Sequence, residues 1–430
     1  MKFRFHFLIV LVTGLWAGLL ASEPESFVVN GLKVIVQQNG STDIVAASMC
    51  YRGGATVLTS DEAGIEKLAL AVAVKASERY PKDKLNATLE RMNTTMTTSV
   101  SLDFSSVDLQ CVKQYLDKSW DVFADVILHP TIAKEDVELE RQQLLTQIKQ
   151  MYDNPDAYLN DLGRRAFYVN HPYETDVNGE EGTVASFTPQ QLKEYLQRRT
   201  TAGQLLLVVV GNVTRDEVEK MVRTSFGSLN PGAYTGSLPP AVQHDEPSLK
   251  IVHRALPTNY IQGYFPCPSF GSDEYYAMAV AGAVLQYRLF EEVRTKRGLS
   301  YAPAGGIARN FSNYGFIYVT AVKPDTTIIV MTGELRKMID EQISPEELRN
   351  TVNVFITSYY LRNETNRLQA NLLARYELSG VGYQDADKFI SEVKKVTPEV
   401  VQNTCKKYIK NLQFVIIGNP ESLQIKNFVF

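Results

Sequence analysis

From Phe27 to Val36 the chain is a strand-like apolar stretch, interrupted by Lys33 and broken at Asn30-Gly31. That dipeptide accepts positive φ at both positions, which a tight hairpin turn requires. Ile44 to Tyr51 predicts a further strand, followed by a helix starting near Asp61-Glu62. Val107 to Cys111 predicts the end of another strand, and Val112 to Ile127, Lys134 to Tyr152 and Asp156 to Tyr168 carry helical periodicity. Thr188-Pro189-Gln190-Gln191-Leu192 then opens a helix leading to the unbroken apolar run Leu205 to Val210 and to Gly211-Asn212. A threonine N-cap, a proline in the first turn and a buried strand closed by glycine account for that order.

The same order returns in the second half. Thr397-Pro398-Glu399-Val400-Val401 opens a helix leading to Phe414 to Ile417 and Gly418-Asn419, offset by 209 and 207 residues from the first copy. Lys250 to His253 and Tyr260 to Phe265 predict strands ahead of a helix near Asp273-Glu274, offset by 212 residues from Asp61. Between the copies, Leu229 to Pro247 holds Pro231, Gly232, Gly236, Pro239, Pro240 and Pro247, a linker composition. The chain therefore divides into an N-terminal repeat over 22–230, a linker over 231–247 and a C-terminal repeat over 248–430. Early strands, central helices and a closing helix–strand pair predict an α+β fold, each repeat a mostly antiparallel sheet with helices packed on one face.

At 430 residues, 44% of them hydrophobic, both repeats can bury a full core without a disulfide or metal staple. The formal net charge of −4 and the lack of a basic block argue against nucleic acid as the main partner. Residues 1–21 read as a cleavable export signal: Lys2 and Arg4, an apolar stretch to Leu20, then Ala21 before polar Ser22-Glu23-Pro24. The alternative is a membrane anchor, for which the stretch is short, and no second apolar run could span a bilayer. The short basic start looks bacterial, so export of this kind predicts a periplasmic location. Cys50, Cys111, Cys267 and Cys405 lack the spacing of a zinc knuckle or redox pair and read as buried structural thiols.

The most informative string is Arg294-Thr295-Lys296-Arg297-Gly298-Leu299-Ser300-Tyr301, which follows Leu289-Phe290-Glu291-Glu292-Val293. Cations at a helix C-terminus and a glycine in the left-handed cap explain parts of it, but not the whole. The whole closely resembles the Leu-Phe-x-Glu-x-Arg-x-x-Arg-Gly-Leu-x-Tyr signature of the insulinase/pitrilysin-type zinc peptidases, the inverzincins. Tyr51-Arg52-Gly53-Gly54, Met151-Tyr152-Asp153-Asn154-Pro155 and His171-Pro172-Tyr173 extend the resemblance over nearly the whole chain after residue 21. It implies that Arg297 and Tyr301 contact the backbone of a bound peptide. A guanidinium can hold a carbonyl or carboxylate with two donors, and a phenol can donate to developing oxygen charge. Many relatives carry a glycine run near Val284-Leu285-Gln286-Tyr287, where this chain has only Gly282. Gln286 and Tyr287 read equally well as the wall of a cleft or as an amphipathic helix surface.

The same resemblance implies an inverted zinc motif, His-x-x-Glu-His, in the first half. The matching stretch is Gly64-Ile65-Glu66-Lys67-Leu68-Ala69-Leu70-Ala71. Lys67 and Ala71 stand where the two histidines belong, Leu70 where the general base belongs, and Gln147 where the third ligand is expected. No shift of register restores the motif, because His129, His171, His244 and His253 are the only histidines after residue 21 and no two lie within four residues. The resemblance then implies a heterodimer, in which a homologous His-x-x-Glu-His-bearing chain carries the zinc and this non-catalytic chain holds peptide substrates. The alternative is a proteolytically inactive scaffold or peptide-binding protein of the same fold.

Overall fold

The computed structural model describes residues 22–430, and the expected export signal lies outside the described residues. Strands β1 (Glu25–Val29), β2 (Leu32–Gln38), β3 (Ile44–Arg52), β4 (Thr95–Val100), β5 (Phe104–Val112) and β6 (Leu205–Gly211) form one sheet in the order β1-β2-β6-β3-β5-β4. Strands β7 (Ser248–His253), β8 (Asn259–Pro266), β9 (Ala304–Ile307), β10 (Tyr314–Ala321) and β11 (Gln413–Gly418) form a second in the order β7-β11-β8-β10-β9. Each sheet has a single parallel pair, β2 with β6 and β7 with β11, because the closing strand returns through a helix. The other pairs are antiparallel. Residues 231–247 contain neither helix nor strand.

The first half carries helices α1 (Ile65–Ala73), α2 (Lys82–Arg91), α3 (Leu116–Leu128), α4 (Lys134–Asp153), α5 (Pro155–Phe167), α6 (Glu181–Ser186), α7 (Pro189–Arg199) and α8 (Arg215–Phe226). The second carries α9 (Asp273–Leu289), α10 (Pro324–Asp340), α11 (Pro345–Arg362), α12 (Asn366–Leu378), α13 (Phe389–Lys395) and α14 (Pro398–Tyr408). The turn chemistry read from the sequence is in place. Asn30 and Gly31 sit at φ 46° and 90° between β1 and β2, and the Thr188 and Thr397 side chains cap α7 and α14.

Two helix starts differ from the expectation. Asp61-Glu62 belong to a short 3-10 turn closed by a capping box from Thr59, and α1 begins only at Ile65. Gly64, at φ +86°, makes the break, and a Cβ there would lie 2.5 Å from Gly179 Cα. Val112 ends β5, so the next α-helix starts at Leu116 rather than Val112.

Each repeat packs its own helices on one face of its sheet, as the order of elements predicts, and the opposite face is covered as well: all seven residues of β6 are buried. Leu205, Leu207 and Val209 point into the core under the first half's own helices. Leu206, Val208 and Val210 point the other way, into a core shared with the second half, where α12 lies across β3 and β6. The converse also holds: α5 of the first half lies across β8 and β11, with Leu159, Leu162 and Phe167 against Tyr264, Val415 and Ile417. A strand buried on both faces reads as a continuous apolar run, as Leu205 to Val210 does.

Polar contacts tie the same seam. Asn39 donates to Asn366 Oδ1 at 2.8 Å, Asn366 donates to the Ile44 carbonyl at 2.6 Å, and Tyr168 donates to the Ser312 carbonyl at 2.6 Å. Buried Asp103 accepts from the Phe311 amide at 2.9 Å, from Arg375 at 2.8 Å and from the Tyr173 hydroxyl.

The seam is tightest at Gly163 of α5, where a Cβ would lie 2.1 Å from the Tyr264 ring. Gly163→Ala is therefore expected to lower stability by about 1–3 kcal/mol through overpacking. Gly182→Ala, where nothing lies within 4 Å, is expected to be neutral or slightly stabilising. Urea unfolding of the two variants checks this, and equal midpoints would refute it.

Candidate functional site

In the second half α9 does not stop at its last α-helical residue. Phe290–Thr295 continue it as a π-helical turn, and Lys296 N–H donates to the Glu291 carbonyl at 2.9 Å. The wide turn persists through the cap, where Leu299 N–H reaches the Val293 carbonyl at 2.9 Å. Gly298 sits at φ +58° with nothing within 4 Å of where a Cβ would stand, so its role is backbone conformation and not space. Such wide turns re-aim the side chains that follow them.

The result is an exposed cationic and aromatic string. Tyr301 is 79% exposed. The Arg294 guanidinium lies 4.1 Å from the Tyr301 ring centroid and 4.7 Å from that of Phe290, stacked between the two. Arg297 donates to the Glu292 carbonyl oxygen at 2.9 Å and pairs with the Glu292 carboxylate, which Lys296 also reaches at 2.7 Å. These two hydrogen-bond donors pull the Glu292 carboxyl down to about 2. Arg297 and Tyr301 thus share one surface string; Arg297 is paired with Glu292, and Arg294 is the cation that lies over the Tyr301 ring. The sequence signature contains Arg294, but its stacking role depends on the π turn, which has no sequence signal of its own.

The first-half positions are laid out differently. Lys67 is half-buried on α1 and donates to Asn178 Oδ1 at 2.9 Å. Burial lowers its pKa while nearby Asp176 raises it. Leu70 is 1% exposed in the core, Ala71 is half-buried, and Gln147 lies exposed on α4, which packs against α1. A lysine, two aliphatic side chains and a neutral amide do not form a zinc donor set. Among the described residues no group of three or more His, Cys, Asp or Glu is placed to hold a metal ion.

Other reactive groups are put out of reach. All four cysteines are buried and free, and burial pushes the Cys111 thiol up to about 11 and the Cys405 thiol to about 12. His171 bonds the Pro240 carbonyl at 2.9 Å and accepts from the Tyr173 amide at 3.0 Å, a loop-fastening role.

A cleft of about 1250 Å³ opens between α9, β9, α11 and α12, and Gln286, Tyr287 and Phe290 line it next to the Arg294–Tyr301 string. Gln286 Oε1 accepts from the Gly305 amide at 3.0 Å, so one face of α9 here is a cleft wall.

Residues 33–180 match the insulinase family (peptidase family M16), and residues 186–355 match the domain described as the peptidase M16 inactive domain. The chain belongs to the insulinase family, M16. An uncharacterized zinc protease of Rickettsia felis is 21% identical over 92% of this chain and 97% of its own length. The peptidase M16 inactive domain from Pseudomonas fluorescens superposes with a TM-score of 0.85 at 16% identity, covering 92% of this chain and 98% of that one. The periplasmic protease PqqL of Escherichia coli superposes with a TM-score of 0.78 at 17% identity, over 96% of this chain but 50% of that one. These likenesses fix the fold. The boundary between the two matched segments, at 180–186, falls ahead of β6, so it does not coincide with the division between the sheets.

The Glu292 pairing carries a pH signature. Its carboxyl is held near 2 in the fold, against an ordinary 4.5, so its stabilising effect is complete above about pH 4.5 and lost as pH falls toward 2. The stability difference between the native chain and Glu292→Gln is expected to shrink over that interval. A carboxyl titration by NMR with a midpoint near 4.5 would show the pairing to be absent.

Proposed function

We propose that this chain is the non-catalytic, peptide-holding subunit of a two-chain zinc peptidase that works in the periplasm. The observation that carries the reading is an exposed Arg297–Tyr301 string on a chain whose Lys67, Leu70, Ala71 and Gln147 offer no metal donor set. PqqL supports it in one respect: this chain covers half of that longer protease, leaving room for a second unit of similar size. The partner would be a homologous chain with the His-x-x-Glu-His motif. Zinc held in that partner supplies the activated water of a metallopeptidase.

This chain's residues then bind and orient. The Arg297 guanidinium, fixed by Glu292, presents its remaining donors to peptide carbonyls. The Tyr301 hydroxyl makes no hydrogen bond among the described residues and is free to donate to oxygen charge developing on a scissile carbonyl. Arg294, stacked on the ring, sets the direction of that hydroxyl.

The test is co-expression with a His-x-x-Glu-His-bearing chain of similar length. The purified complex is expected to contain one zinc per pair and to cleave peptides, while this chain alone does neither. Tyr301→Phe is expected to lower kcat of the complex about 100-fold, the loss seen when one oxyanion donor is removed. Arg297→Ala is expected to lower kcat/KM. Full activity in both variants would overturn the substrate-holding role and leave the scaffold reading.

A further inference from the structure

The cleft beside the string has a polarity of its own. Tyr275 and Phe290 mark its ends along α9, and a helix rises about 22 Å over that interval. One end is the aromatic edge made by Tyr287 and Phe290. At the other end Arg309, Arg362 and Arg375 all line the wall. Arg375 is anchored by Asp103 at 2.8 Å and donates to the Arg309 carbonyl at 2.6 Å. Neither Arg309 nor Arg362 pairs with a carboxylate among the described residues, although many other arginines of the chain do. Burial is the largest cause that lowers the Arg309 pKa; Tyr275 opposes it, and the like charges of Arg362 and Arg375 add to it. Only Arg375 has a carboxylate partner, so Arg309 and Arg362 leave this end of the cleft positively charged.

Between these ends the walls are mixed. Ala279, Ala283, Ile307, Val354 and Phe355 supply apolar surface, while Asn350, Thr351, Ser358 and Asn371 supply amide and hydroxyl groups. The wall formed by α11 is only partly buried, with Leu348, Val352 and Phe355 packed against the core. A long-chain carboxylate would satisfy the arginines and the apolar surface but leave the mid-cleft amides and hydroxyls without partners. A peptide would satisfy all three, and about six or seven extended residues span the interval.

We propose that this cleft binds the C-terminal segment of a peptide, its free carboxylate on Arg309, Arg362 and Arg375 and its apolar side chains between α9 and α11. The substrate class is thus peptides with apolar C-terminal segments and an unblocked carboxylate. The inference rests on the peptide-holding reading of this chain. Its test uses neither partner nor metal, so a failure here leaves the Arg297–Tyr301 role standing, and a failure there leaves the cleft.

The probes are two N-terminally labelled heptapeptides of Leu, Phe and Ser, identical except that one ends in a carboxylate and the other in an amide. Binding to the full chain is followed by fluorescence anisotropy, with palmitate as competitor. The acid is expected to bind at least tenfold more tightly than the amide. Arg309→Gln with Arg362→Gln is expected to remove that difference. Ala283→Trp, which fills the cleft, is expected to abolish binding of both, and thermal melts confirm that each variant is folded. Equal affinity for acid and amide, unchanged binding in Ala283→Trp, or displacement of the peptide by palmitate at lower concentration than by unlabelled peptide would each overturn the proposal.

Discussion

Each sheet of this protein is completed by a helix from the opposite half. The α5 helix covers β8 and β11, and α12 covers β3 and β6. Without that exchange, Leu206, Val208 and Val210 on one sheet and Val415 and Ile417 on the other would face water. Full burial of such side chains is worth roughly 1.5–3 kcal/mol each, so the seam is a large part of what makes the fold stable. It also explains the tolerance for an irregular 231–247 segment, which need not position anything that the swapped helices already position.

The seam governs the site as well. The buried carboxylate of Asp103 lies in the first half and receives Arg375 and the Phe311 amide from the second. Arg375 in turn bonds the Arg309 backbone, so the cationic end of the cleft is fastened to the seam. The other end is set locally, by the π turn and the glycine at 298 that expose Arg297 and Tyr301 and lay Arg294 against the Tyr301 ring. One wall of the cleft, α11, is held from the side by the Arg288–Glu347 pair and by Tyr359 stacked on Phe389, while none of its residues is fully buried.

Local chemistry makes much of the fold legible in the sequence. Asn30-Gly31, Thr188-Pro189 and Thr397-Pro398 each specify their own turn or cap within a few residues, and all three are in place. The misplaced helix start near Asp61 comes from the same kind of signal: acids after a threonine do form a capping box, but on a 3-10 turn that Gly64 cuts short. Family membership is legible too, because the Leu289–Tyr301 string is contiguous. The second covered face is not, since it depends on residues more than a hundred positions apart. The cleft is only half visible, at Gln286 and Tyr287, because an opening is defined by where packing stops. The arginines at 309, 362 and 375 carry no spacing that marks them as neighbours.

The exchange of helices has a consequence for how this chain responds to being cut. The 231–247 segment is largely exposed and rich in proline and glycine, the kind of place where a protease nicks a polypeptide. A single break there would separate the halves in covalent terms only. Each piece would still hold one helix clasped across the other's sheet, so the nicked molecule would travel as one particle and come apart only on denaturation. A gel under denaturing conditions and a sizing column would give two different answers about the same sample, the first reporting fragments and the second an intact body.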